Sequence, residues 1–149
     1  MNDSAYSPIG IILVLFILLV VVIGISWIDQ AEEESLNLST FEYELKNLSQ
    51  RCRLRFFTRT GPLNIPSSIL LPGGLETLVL RSAVTQVTVA TVTYRVYSIS
   101  DTSVPPTILG ELTFQVEWDL LFGYIRTVKN TSPLVAIGYS SRGMALYDL

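Results

Sequence analysis

The feature that most constrains this chain is a long apolar segment near its N-terminus. Twenty residues from Ile9 to Ile28 contain no charged side chain, and only glycines and Ser26 interrupt the apolar run. A helix of that length spans about 30 Å, which is the thickness of the hydrocarbon layer of a bilayer. Ser7 is a preferred N-cap residue and Pro8 is tolerated at the first helical position, so we expect the helix to begin at residue 8.

We compare three interpretations of this segment. A cleavable signal peptide has a basic start and a shorter apolar core, whereas Met1–Tyr6 contains no Lys or Arg. A buried helix of a globular domain would have to be enclosed by the rest of the chain. We therefore predict that residues 1–28 form an uncleaved helix, either a single transmembrane anchor or part of a filament core, followed by an acidic neck over residues 29–50. The helix residues expected at its contact surfaces are Pro8, Gly10, Leu15, Leu19, Gly24 and Trp27.

After Gln50 the polar and apolar residues alternate with the period of a β-strand. Arg51–Phe56 alternates arginine with apolar side chains, and Leu112–Trp118 alternates in the same way. Turn sequences recur at intervals of about 8–12 residues, which is typical of sandwiches. We predict an all-β, antiparallel, immunoglobulin-like sandwich of seven or eight strands over residues 51–149. The other predicted strands are Ile69–Leu71, Leu75–Arg81, Val84–Ile99, Phe122–Lys129, Leu134–Tyr139 and Met144–Asp148.

Several asparagines begin an Asn-x-Ser/Thr triplet, which is the acceptor sequence for N-glycosylation. Three of these triplets follow the apolar segment, at Asn37, Asn47 and Asn130. Because N-glycans are added to exported surfaces, we predict a glycoprotein whose C-terminal domain is extracellular. The predicted location is the cell membrane, crossed once, or an extracellular filament.

The residue types offer no recognisable catalytic centre. The chain has no His and a single Cys, so His-based catalysis, a Cys-cluster zinc site and an internal disulfide are all excluded. Cys52 alternates onto the apolar face of its strand, where we expect a packed thiol. The net charge of −3 argues against a nucleic-acid partner. We predict a protein that is not an enzyme and holds no cofactor or metal.

One polar pattern suggests an interaction surface. Arg51, Arg53, Arg55 and Arg59 share one parity, so a regular strand would carry all four on the same face. Such a stripe could meet the acidic neck of the same or a neighbouring subunit, or an anionic glycan. The alternative is a solvated strand face that opposes edge-to-edge pairing.

Residues 4–24, SAYSPIGIILVLFILLVVVIG, resemble the N-terminal segment of archaeal type IV pilins, in which Ala-x-Ser-Pro-x-Ile-Gly precedes a long apolar helix. The matching positions are Ala5, Ser7, Pro8, Gly10 and the apolar run to Gly24, with a one-residue shift at the Ile-Gly pair. The resemblance implies helices that bundle into a filament core beneath glycosylated β-sandwiches. Archaellum accessory proteins share this plan, with an external sandwich that contacts the surface layer. Pilin precursors carry a basic residue before the processing site, and its lack here favours a retained anchor.

These observations predict a structural protein of a cell-surface assembly, as a pilus- or archaellum-like subunit or accessory protein. Its expected partners are a lipid bilayer or identical subunits through the helix, and surface-layer or shell proteins through the sandwich. Two alternatives stay open. One is a membrane-anchored binding module that grips a surface layer or a glycan, and the other is a structural protein of a virus with an internal membrane.

Overall fold

The computed structural model describes the backbone of residues 8–30, 38–140 and 142–149, and the side chains of residues 9–21, 38–140 and 142–149. The chain divides into two compact units, Met1–Asn37 and Leu38–Leu149. Each unit is described by itself.

The first unit contains the helix α1, which runs from Pro8 to Gln30. Its described side chains, from Ile9 to Val21, are all exposed, and all of them are apolar. A helix that is apolar on every face has no side suited to water. The expected helix is therefore present, and its apolar surface has to be covered by something other than solvent.

The prediction of a transmembrane helix is wrong. Among the residues that the structure describes, no helix is both long enough and apolar enough to cross a bilayer. Pro8, Gly24 and Trp27 lie within α1. At these three positions the structure describes the backbone alone. Residues 31–37 of the predicted acidic neck fall outside them as well.

The second unit is built from β-strands. In the part of the chain that the structure describes, these are β1 (Leu38–Asn47), β2 (Cys52–Thr60), β3 (Ile69–Leu70), β4 (Leu75–Ala83), β5 (Thr88–Ser98), β6 (Gly110–Trp118), β7 (Gly123–Asn130), β8 (Val135–Ser140) and β9 (Gly143–Asp148). They form two sheets, with strand orders β4-β1-β9-β8 and β3-β2-β5-β6-β7. The two sheets form a β-sandwich.

The expectation of a purely antiparallel sandwich of seven or eight strands is also wrong. β1 pairs in parallel with β9, in addition to its antiparallel pairing with β4. Pairing between the first and last strands joins residues about 100 positions apart, so no local sequence pattern reports it. The sandwich also begins at Leu38, within the segment assigned to the neck. The long predicted strand Val84–Ile99 is shorter in the structure, because its first four residues form the turn between β4 and β5.

The core lies between the two sheets and takes large side chains from both. Leu45 and Leu78 come from the first sheet, and Val92 and Phe114 come from the second, all with no measurable exposure. Cys52 lies in the same core with a free thiol. Burying one such aliphatic or aromatic side chain contributes about 1.5–3 kcal/mol, so this layer supplies the main stabilising contribution to the second unit.

The hydroxyl group of Tyr94 is a polar atom inside this apolar layer. It has no hydrogen-bond partner among the described residues. The ring lies edge-on to Phe56, with ring centroids 6.3 Å apart, and 6.2 Å from the ring of Phe114. Burial raises the pKa of Tyr94 far above its ordinary value. The hydroxyl is therefore neutral, and its desolvation is not compensated by a hydrogen bond.

Tyr94→Phe is expected to leave the free energy of unfolding unchanged or to raise it by up to about 1 kcal/mol, because it removes an unpartnered buried hydroxyl. The matched control is Tyr43→Phe. The hydroxyl of Tyr43 donates to the carbonyl oxygen of Glu117 at 2.8 Å, so this variant should lose about 1 kcal/mol. Urea unfolding measures both values, and a larger loss in Tyr94→Phe than in Tyr43→Phe would contradict the argument.

Candidate functional site

Two of the four arginines predicted to form a stripe, Arg53 and Arg55, lie on the outer face of the second sheet. In the antiparallel pair of β2 and β5, Arg53 is opposite Tyr97 and Arg55 is opposite Arg95. The residues between them in sequence point into the core. Arg51 immediately precedes β2 and has the same parity. We call Arg51, Arg53 and Arg55 the arginine face.

Arg59 does not belong to this face. The register of β2 shifts between Phe56 and Thr58, so a β-bulge adds one residue to the strand. Beyond the bulge Arg59 is opposite Val92, which points into the core. The guanidinium of Arg59 donates to the carbonyl oxygen of Leu63. Because a bulge reverses the alternation of side chains, equal parity in the sequence does not place Arg59 with the other three.

Arg95 lies beside the arginine face, but its charge is compensated within the domain. Its Nε atom is 3.5 Å from Oε1 of Glu111. Its guanidinium carbon lies 3.6 Å from the ring centroid of Phe57, which is the residue at the bulge. The hydrogen bond from Lys129, 3.0 Å long, is the main reason that the pKa of Glu111 is lowered. Glu111 is therefore held in its charged form next to two cations.

Arg53 and Arg55 lack such compensation, because within residues 38–140 and 142–149 neither forms an ion pair. The guanidinium of Arg51 instead donates to the carbonyl oxygen of Leu149 at 3.5 Å. The hydrogen bond from Ser49 lowers the pKa of Asp148, and the charge of Arg51 helps to lower it further. Arg53 and Arg55 line a small surface cavity of about 110 Å³ together with Tyr97 and Pro106. Guanidinium groups bind carboxylate, sulfate and phosphate oxygens through paired N–H donors. The face is therefore suited to a small anionic group on a partner.

The sequon asparagines differ in accessibility. Asn47 is completely buried. Its Nδ2 atom donates to the carbonyl oxygens of Cys52, at 2.9 Å, and Leu70, at 3.2 Å. Its Oδ1 atom accepts from the backbone N–H of Ser49 at 3.2 Å. Nδ2 is the atom that would carry a glycan, so the folded sandwich does not present Asn47 for modification.

Asn130 lies at the surface, at the end of β7. Its Nδ2 atom donates to the carbonyl oxygen of Val135 at 3.0 Å, and its Oδ1 atom accepts from the N–H of Ser132 at 2.9 Å. Both sequon side chains that the structure describes thus stabilise turns. Asn37 falls outside the described residues.

An apolar surface that the sequence did not indicate lies at one end of the sandwich. Three segments meet there. Leu38 begins β1 opposite Ala83, and the turn between β4 and β5 follows Ala83. The indole N–H of Trp118 donates to the carbonyl oxygen of Val84 at 3.2 Å and so joins that turn to the end of β6. We define the apolar tip by the exposed apolar residues Leu38, Val84, Val87, Leu120, Leu121 and Phe122.

The helix α1 provides another apolar surface. Leu15 and Leu19, which the sequence assigned to a contact surface, are 60% and 55% exposed. Gly10 is exposed as well, and a Cβ atom added to it would have no neighbour within 4 Å. In the described part of the helix, all these positions are available to a partner.

Comparisons with known proteins do not identify the chain, since no protein-family model, curated protein or solved structure matches it. The resemblance to archaeal type IV pilins therefore stays a prediction from residues 4–24. Among the described residues, no group of three or more Asp, Glu or Cys side chains is placed to hold a metal ion. The surfaces available for an inference about function are the apolar helix, the apolar tip and the arginine face.

Proposed function

We propose that this protein is a non-enzymatic structural subunit of a cell-surface assembly. In this assembly the helices α1 of identical copies pack against one another, and the sandwiches lie outside them. The observation that carries the proposal is the exposure of every described apolar side chain from Ile9 to Val21.

The energetics of this surface favour association. Burying one Leu, Ile, Val or Phe side chain contributes about 1.5–3 kcal/mol, and many neighbouring side chains of α1 are available for burial at once. A single partner can cover only one side of a helix. Because α1 is apolar on every side, several partners are needed, and a bundle of like helices supplies them.

Two further features support a location at the cell surface. Residues 4–24 resemble the helix of archaeal type IV pilins, whose helices form a filament core. Asn130 begins a sequon and lies at the surface of the sandwich. A sandwich with a continuous core suits the outer layer of such an assembly.

The test is sedimentation of the full chain over a range of protein concentrations in buffer without detergent. The proposal expects ordered assemblies whose size increases with concentration, and recovery of smaller species when a mild detergent covers α1. A chain that sediments as a monomer at all concentrations would contradict the proposal.

A second candidate function is that of a binding module for an anionic partner, such as a surface-layer protein or an acidic glycan. The observation that favours it is the lack of ion pairs at Arg53 and Arg55 within the described sandwich. On this account the sandwich of the assembled subunit holds envelope material through the arginine face.

Replacing Arg53 and Arg55 together by Ser should reduce the recovery of envelope material in a pull-down at least about 10-fold, since each charge-assisted pair contributes about 1.5–3 kcal/mol. The matched control is Arg81→Ser combined with Arg126→Ser, because it removes the same charge from other exposed strand positions. Equal recovery with both double variants would show that the arginine face is only a solvated surface.

A further inference from the structure

The turn between β6 and β7 has an unusual composition for its position. Turns are dominated by Gly, Asn, Asp, Ser and Pro, whereas this one reads Asp119-Leu120-Leu121-Phe122. Leu121 is 76% exposed and Phe122 is 69% exposed. Three consecutive large apolar residues thus occupy the outermost part of a hairpin, where water is their neighbour in the single chain.

The backbone of this turn is strained and yet firmly held. Leu120 adopts a φ of +80°, in the left-handed region that bulky side chains rarely enter. The carboxylate of Asp119 accepts hydrogen bonds from the N–H groups of Phe122, at 2.8 Å, and Leu121, at 3.2 Å. The N–H of Asp119 donates to the carbonyl oxygen of Phe122 at 3.1 Å. These bonds fix a conformation that directs apolar side chains away from the sandwich.

The turn is continuous with the rest of the apolar tip. Val84 and Val87 are 49% and 52% exposed in the turn between β4 and β5, and Leu38 is 56% exposed at the start of β1. Exposed large apolar side chains gathered at one end of a domain are typical of an interaction surface.

A cavity of about 220 Å³ lies beside the tip. One side of it is lined by Phe41 and Trp118, whose rings stack with centroids 4.0 Å apart, together with Tyr43 and Gly123. Thr40, Glu42 and Arg142 line the rest. Burial raises the pKa of Tyr43 to about 12, so its hydroxyl is neutral at ordinary pH. The stacked rings therefore give the cavity one apolar side next to the tip, whereas Glu42 and Arg142 make its other side charged.

The position of Leu38 indicates which partner is within reach. The sandwich begins at this residue, in the apolar tip, and residues 31–37 join it to α1. Seven residues span at most about 25 Å when fully extended. This covalent link sets the largest distance between Leu38 and the end of its own helix, so in an assembly of packed helices the helices of other copies are within reach of the tip.

We propose that the apolar tip docks on the apolar helix α1 of a second copy of this chain. The proposal rests on the proposed function, because it assumes that the copies assemble through α1. Leu121 and Phe122 pack along the surface of that helix. The docking ties the sandwich layer to the helix layer.

The charges of the tip favour a helix of a second copy over a lipid surface. Segments that bind lipid surfaces combine apolar residues with Lys and Arg, which are attracted to anionic headgroups. The six residues of the tip are uncharged, and Asp119, the charged residue of the same turn, is acidic. The described part of α1 is uncharged as well, so both surfaces of the proposed contact are apolar.

A photo-cross-linking experiment on the full chain tests the docking. Phe122 is replaced by a photoreactive benzoyl-phenylalanine, and equal amounts of isotope-labelled and unlabelled chains are assembled together and irradiated. The expected product joins position 122 of one copy to residues 9–21 of the other, as shown by the mixed isotope masses. The matched control carries the same group at Tyr139, an exposed aromatic residue that is 62% exposed on β8, and should give at least about 10-fold less of this product.

The outcomes separate this inference from the proposed function. Assemblies that form normally but give no cross-link between position 122 and a second helix would overturn the docking and leave the proposed function standing. Cross-links only within one chain, or only to added lipid vesicles, would overturn it too. A chain that never assembles would contradict both. As a second measurement, Leu121→Ser with Phe122→Ser should raise the concentration for half-assembly by about 10-fold or more while the unfolding transition of the sandwich is retained, and unchanged assembly would count against the docking.

Discussion

Leu15→Glu is expected to prevent assembly of the full chain at concentrations where the unmodified chain assembles. Leu15 is exposed near the middle of the described part of α1. In the proposed assembly this position lies among apolar helices, where an unpaired carboxylate costs on the order of several kcal/mol. Since 1.4 kcal/mol corresponds to a factor of ten in an equilibrium constant, the concentration for half-assembly should rise by more than about 100-fold.

Two controls separate the effect of the added charge from the effect of its position. Leu15→Met keeps both volume and polarity and should assemble like the unmodified chain. Val128→Glu adds the same charge at an apolar position of the sandwich that is 57% exposed, and it should also assemble. If Leu15→Glu and Val128→Glu assemble equally well in sedimentation experiments, α1 is not the surface that joins the copies.

Asn47→Ala is expected to lower the free energy of unfolding of the sandwich by about 3 kcal/mol or more. Its side chain satisfies the carbonyl oxygens of Cys52 and Leu70 and the N–H group of Ser49, all in a buried position. Leaving a buried polar group without a partner costs about 1–3 kcal/mol, and this variant leaves three. For a domain of this size the melting temperature should fall by roughly 12 °C or more.

Asn64→Ala provides the matched control for this prediction. The side-chain amide of Asn64 also forms two hydrogen bonds with the backbone. It donates to the carbonyl oxygen of Thr77 at 3.2 Å and accepts from the N–H of Val79 at 2.7 Å. It is partly exposed, so water replaces the lost bonds and the loss should stay near 1 kcal/mol. Protein from a host without N-glycosylation excludes any effect of a glycan. An equal loss of unfolding free energy in the two variants would show that the burial of Asn47 does not increase the effect of losing its hydrogen bonds.

Strand content could be read from the sequence wherever one face of a strand is buried. The alternation in Arg51–Phe56 and in Leu112–Trp118 matches β2 and β6, because each places alternate side chains in the core. The sequence assigned Leu38–Asn47 to the neck, and only the pairing of β1 with β4 and β9 decides the conformation of this segment. Such pairing joins distant residues and leaves no local pattern.

The candidate surfaces also divide into those that a local sequence pattern predicts and those that it does not. Arg53 and Arg55 share the outer face of β2, and Arg51 immediately precedes that strand. Arg59 was lost from the set because nothing in the local sequence marks the bulge after Phe56. The apolar tip was missed because the sequence reads Phe122 as the start of a strand. Its exposure becomes apparent only when the strand β7 is seen to begin at Gly123.

The central claim is that the copies assemble through α1, with the sandwiches outside. Electron microscopy of the assembled full chain, carried to a resolution at which helices and sheets are distinct, tests it most directly. The account predicts filaments or closed particles in which rods of helical density pack side by side in the interior and one sandwich per helix forms the outer layer. Assemblies held together by sandwiches alone, with the helices at the outside and free of contacts with one another, would contradict it.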